Sequence, residues 1–185
     1  MEVREMTQEK FRLTEEQMKQ IEDFLFRQAT RDDYVLSEVV GAFYCPEDLV
    51  LTDGNGKETR KFTWAEAMEI ESYIRHFFPG FRMPTVSEYG LMALEATGDA
   101  LDGDDVVREL DLNRNGIGHP VGRGVAEHEG EWAAYWTGTE APAHPAIAEH
   151  QAYALIITET NTILDRERVD VNRRLSVRVL YDLDQ

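Results

Sequence analysis

The sequence predicts an α+β fold, with helices gathered in its first half and antiparallel strands in its last third. Three segments of the first half open with one helix-start signature: Thr14 with Gln17, Thr63 with Glu66, and Thr85 with Glu88. In this box the Thr side chain caps the third helical amide, while the Gln or Glu side chain reaches back to the cap. In the last third, Tyr153, Leu155 and Ile157 alternate with neighbours of a different kind, as do Leu175, Val177, Val179 and Tyr181. That is the period of a strand. Helices first and strands last exclude alternating βα units.

The elements follow in order. The first helix runs from Thr14 to about Gln28, with Met18, Ile21 and Leu25 on one face and Phe24 beside them. Val39, Val40, Ala42, Phe43 and Tyr44 suggest a short strand, and Leu49 to Leu51 a second one before the turn Asp53-Gly54-Asn55-Gly56. The second helix carries Ala67, Ile70, Ile74 and Phe77 at helical spacing and stops at Pro79-Gly80. The third follows Pro84, carries Tyr89, Met92, Ala93 and Ala96, and closes at Thr97-Gly98-Asp99. Residues 102–130 are rich in Gly and charge, and read as loops around one or two short strands, one near Leu110 and Leu112. Thr160-Asn161 turns the chain back into a strand over Thr162 to Arg168. On the final strand Ser176 and Arg178 point away from the apolar side.

The chain has 185 residues, which suits one domain with a real core. Its 36 Asp and Glu against 19 Lys and Arg give a net charge of −17. Nucleic-acid binding and docking on an anionic membrane both need clustered cations, so neither is expected. The single cysteine, Cys45, excludes an intramolecular disulfide and a thiolate-rich zinc site. No export signal and no membrane-spanning stretch are read in the chain as given, which favours a cytoplasmic or virion-associated protein.

Several blocks are less generic. Phe81-Arg82-Met83-Pro84-Thr85-Val86-Ser87-Glu88-Tyr89 resembles the W-R-L-P-T-x-x-E-W signature of bacterial C-type-lectin-like domains. Those domains occur in formylglycine-generating-enzyme-type proteins and in the major paralogous domain group often called FISUMP. Thr63-Trp64-Ala65-Glu66-Ala67 resembles the T-W-x-x-A helix that precedes the signature, and Ala134-Tyr135-Trp136-Thr137-Gly138-Thr139-Glu140 the Y-W-S-S-T-E strand after it. Ala152-Tyr153-Ala154-Leu155 and Leu175-Ser176-Val177-Arg178-Val179 resemble the closing A-Y-x-L and x-V-R-C-V strands. The resemblance covers roughly residues 40 to 182. It implies a C-type-lectin-like fold, with two or three helices flanking twisted antiparallel sheets and a long irregular loop segment carrying ligand contacts. The resulting division is an N-terminal helical arm at 1–33 and a lectin-like domain at 34–185. The first helix either packs on that domain or serves in assembly.

The enzyme branch of the resembled group works through a cysteine pair, and here Cys45 stands alone before Pro46 in an apolar strand, as a buried, unreactive thiol would. The R-G-G-S-W block of that branch is also missing. No catalytic residue and no cofactor are therefore expected. Asp111-Leu112-Asn113-Arg114-Asn115-Gly116 matches the opening of a calcium loop, yet the twelfth position is Gly122 where an EF-hand needs Glu. The sugar-calcium triplets of lectins are absent too, so any binding is expected to be calcium-independent. His119, His128, His144 and His150 are suitable transition-metal ligands whose spacing fits no compact motif, and no metal site is assigned. Trp64, Tyr89, Trp136 and Tyr153 are expected to fill the core.

The functional expectation is a non-catalytic binding or structural module, of adhesion type, that recognises a protein or glycan through loops between about Asn113 and His150. The ligand-binding residues expected are Asn113, Asn115, Trp132, Glu140, His144 and His150. Self-association would run through the N-terminal helix. The alternatives are a phage or prophage virion or receptor-binding protein and a divergent formylglycine-generating-type enzyme.

Overall fold

The computed structural model describes residues 11–33, 35–98, 102–118, 127–142 and 150–183, leaving the side chain of residue 165 aside. It is an α+β structure of antiparallel sheets. Helix α1 spans Glu15–Ala29, α2 Trp64–Phe77, α3 Val86–Thr97 and α4 Gly103–Glu109. Strands β1 (Val35–Ser37), β2 (Ala42–Tyr44), β5 (Phe81–Arg82) and β9 (Leu180–Asp182) form one sheet in the order β1-β2-β9-β5. Strands β3 (Leu51–Thr52) and β4 (Glu58–Thr59) form a small hairpin. Strands β6 (Ala133–Glu140), β7 (Gln151–Ile157) and β8 (Ile163–Asp170) make the third sheet in chain order.

All three capping boxes form, with both reciprocal bonds in place at Thr14, Thr63 and Thr85. The box at Thr85 does more than start α3. Glu88 accepts the Thr85 amide at 2.7 Å and two guanidinium N–H groups of Arg82 at 2.6 Å each. Arg82 also donates to Asp182, so the helix start is tied to two strands of the first sheet. Thr85→Ala removes the cap and is expected to lower the unfolding free energy by about 1 kcal/mol, measured by urea denaturation.

Over its described part, the stretch expected as an arm contributes Ile21, Phe24 and Leu25 to the main core, together with Ile70, Ile74 and Trp136. The side chain of Gln20 both accepts from and donates to the Thr52 backbone. Helix α1 therefore packs on the domain, and its outer face keeps Phe26 exposed.

Two local expectations are corrected. The single strand read through Val39 to Tyr44 is instead a hairpin: β1 and β2 flank a turn at 38–41, where Gly41 adopts φ +70 and Val39 is exposed. The strand expected near Leu110 and Leu112 does not form: helix α4 ends there, and Leu110 is its C-cap. Asp102 caps that helix by accepting from the Asp104 amide, and Val106 and Leu110, four residues apart, both bury in a second core with Tyr135 and Leu155. Gly103 makes the entry fit: its amide donates to the Asn161 carbonyl at 2.9 Å, and a Cβ there would stand 2.3 Å from that oxygen.

The final strand is regular in its side chains and irregular in its partners. Arg174 pairs with Gly118, Leu175 with Phe62, and Ser176 with Tyr135, before β9 joins the first sheet. Leu175, Val177 and Val179 face the main core as their alternation predicts. Ser176 and Arg178 do point the other way, but both are fully buried rather than solvated. Trp64, Tyr89 and Trp136 are buried as expected. Tyr153 is only half-buried, with the Arg168 guanidinium 5.8 Å from its ring centre.

Candidate functional site

Of the six residues expected at one ligand surface, the five that are described do not come together. Asn113 and Asn115 turn their side-chain amides inward, donating to Asp48 Oδ2 at 3.0 and 2.8 Å. The cause is the buried Asp48 carboxylate, which needs donors on both oxygens. Its Oδ1 receives the Tyr135 hydroxyl at 3.0 Å and the Nε–H of Arg178. Arg178, with no exposed surface, also donates to the carbonyls of Leu110 and Asp111 at 3.0 and 2.6 Å, closing the C-terminal end of α4. Burial opposes the Arg178 charge, but Tyr44, Tyr135 and Asp48 outweigh it and hold the guanidinium protonated. Burial in turn pushes the Tyr44 hydroxyl up to about 12 and those of Tyr89 and Tyr135 upward as well. The Asp-x-Asn-x-Asn-Gly run thus serves this interior network. Gly116 closes it at φ +64, where a Cβ would meet the Glu127 carbonyl at 2.3 Å.

His150 Nε2 lies 2.9 Å from Glu140 Oε1 in an exposed contact at one end of the β6–β7 pair. Trp132 precedes the other end of β6, roughly 25 Å away at the rise of an extended strand. His144 lies outside the described residues, as does His119.

Around Trp132 a surface is assembled that the sequence did not reveal. The turn at 128–132 is fixed by the His128 carbonyl, which accepts from the amides of Glu131 and Trp132 at 3.0 and 2.9 Å, with His128 itself at φ +56. Arg114 clamps this turn to the β7–β8 turn: it donates to the Glu131 carbonyl, to the Thr158 carbonyl at 3.0 Å and to Asn161 Oδ1 at 2.7 Å. The clamp brings Glu159 against Trp132, whose indole N–H donates to its carboxylate. The backbone N–H of Glu159 itself, then that indole, lower the Glu159 pKa. The His128 ring stacks on Trp132 at 3.9 Å and 6°.

Trp132 is half-buried and also borders a shallow groove of about 300 Å³. Ile117, Ile156 and Leu164 give the groove apolar lining, and Glu167, Arg168 and Arg173 give it charge. Glu129, in the same turn, borders a second groove of about 480 Å³, where Arg174 is held by both oxygens of Glu66 at 3.0 and 3.1 Å. Burial lowers the Lys61 pKa there, against the attraction of Glu129.

Cys45 is fully buried and its thiol is pushed up to about 12, with burial as the main cause. A thiol in that state is not a nucleophile at neutral pH. Its reaction with a maleimide is expected to be slow in the native protein and fast in denaturant, measured by mass increase over time.

No protein-family model and no curated protein matches this chain. Among the described residues, no helix is long and apolar enough to cross a membrane.

Proposed function

We propose that this chain is a non-catalytic binding module of C-type-lectin-like fold that takes a protein or glycan on the surface around Trp132. The observation that carries the reading is the placement of a half-exposed indole between a groove with apolar lining and a rim of Glu and Arg side chains. An aromatic with one polar edge and an apolar face suits a sugar ring or a protein anchor, with the surrounding charges supplying orientation.

The fold part of the proposal draws support from the way the motif blocks meet. Trp64 of the T-W-x-x-A block packs edge-on against Trp136 of the Y-W-T-G-T-E block, ring centres 5.5 Å apart. Ser176 of the closing block pairs with Tyr135 of the same strand. Arg82 of the R-M-P-T block is paired with Asp182, a few residues past the closing block. The non-catalytic part rests on the buried, protonated Cys45. Self-association, in this reading, uses the outer face of α1 around Phe26, and Phe26→Asp is expected to abolish it in sedimentation velocity.

The experiment is a screen of the purified chain on a glycan array and on a panel of cell-surface proteins, with a parallel test for thiol-oxidase turnover. Saturable binding without turnover supports the proposal. Turnover that disappears on Cys45→Ala would replace it with the enzyme reading.

A further inference from the structure

The two turns clamped by Arg114 bring together a ligand set that no motif spacing predicts: His128 and Glu131 from one, Glu159 from the other. Imidazole nitrogen with carboxylate oxygen is a donor set for zinc and other late first-row divalent ions. Their ligand atoms all lie within 4.8 Å of one another. His128 Nδ1 and Glu131 Oε2 are 3.3 Å apart. With metal–ligand bonds of about 2.0–2.2 Å, a tetrahedral site has edges of about 3.4 Å. The first pair is therefore already at ligand spacing, and Glu159, an exposed side chain, needs to close by at most about 1.4 Å to complete the face.

We infer that His128, Glu131 and Glu159 form a three-ligand site for a divalent transition metal of the zinc class, with its fourth position open to water or to a ligand oxygen. Three protein ligands and one open position is the pattern of zinc sites that exchange ligands. The surroundings fit the role. Trp132 donates its indole N–H to Glu159 and stacks on His128, so one side chain orients two of the three ligands from outside the coordination shell. Two carboxylates brought together in a chain of net charge −17 repel each other, and a divalent cation relieves that repulsion. One nitrogen and two carboxylates fall short of the six to eight oxygens calcium takes, so the site discriminates against calcium. The inference does not depend on the groove taking a ligand, since the metal is tested alone.

The test uses the full chain, stripped with EDTA and desalted, titrated with zinc chloride by calorimetry in a non-chelating buffer. One zinc ion per chain is expected, undisturbed by millimolar calcium. His128→Ala and Glu159→Gln, each checked for an unchanged metal-free melting curve, are both expected to weaken binding at least tenfold. As a second readout, nickel or copper should quench the fluorescence contributed by Trp132, and Trp132→Phe should remove that quenching. Absence of zinc binding in the wild-type chain overturns the inference. So does binding that either variant retains undiminished, because the ion would then sit elsewhere on the acidic surface.

Discussion

Replacing Arg178 with Met is expected to lower the unfolding free energy by about 3–5 kcal/mol, more than any substitution on the exposed faces. The guanidinium is fully buried, and its loss leaves the Asp48 carboxylate in the interior with Tyr135, Asn113 and Asn115 as its donors among the described residues. It also strips the donors from the Leu110 and Asp111 carbonyls at the end of α4. The loss is therefore one of uncompensated charge and orphaned acceptors as well as of packing. Asp48→Leu combined with Arg178→Met should cost less than the two single changes added together, because the double variant buries no lone charge. Chemical denaturation of the four proteins in a double-mutant cycle measures this directly, and additive losses would mean that the two side chains do not act as a pair.

Trp136→Ala is the second large effect, about 3–5 kcal/mol. Trp136 has no exposed surface, packs edge-on against Trp64, and donates its indole N–H to the Phe62 carbonyl at 2.6 Å. Removing it opens a cavity between the third sheet and α2 and takes from the Phe62 carbonyl one of its two donors, leaving it the Leu175 amide at 3.0 Å. Trp136→Phe refills much of the volume without restoring that bond and should fall between wild type and Ala. A thermal melt of all three, read by circular dichroism, gives the order.

What the sequence could reveal depended on how local the signal was. The boxes at Thr14, Thr63 and Thr85 are complete within four residues, and each starts a helix where it was read. The alternation of Leu175, Val177 and Val179 located the core face of the last segment in the same way. The helix α4 was missed because it is seven residues long and begins with Gly, whose fit depends on Asn161 far along the chain. The alternation gives the direction of Arg178 and not its environment: its partner Asp48, which lets it bury, lies 130 residues upstream. Asn113 and Asn115 looked like loop donors for a ligand because nothing near them in sequence announces that Asp48 takes their amides. Trp132, like Glu140 and His150, is an expected site residue that the fold leaves at a surface, but its companions His128, Glu131 and Glu159 depend on the Arg114 clamp across two turns. That clamp had no sequence signature.

The most direct test of the binding surface compares Trp132→Ala with a charge reversal on the outer face of α1, Lys19→Glu with Glu22→Lys, against the strongest partner from the array and protein screen. Both variants are first checked by circular dichroism and melting temperature, since Trp132 also touches the core. Affinity is then measured by surface plasmon resonance. The account predicts at least a tenfold loss for Trp132→Ala and unchanged affinity for the α1 variant. Normal binding by Trp132→Ala, with binding abolished by the α1 changes, would contradict it and make the N-terminal helix the functional surface.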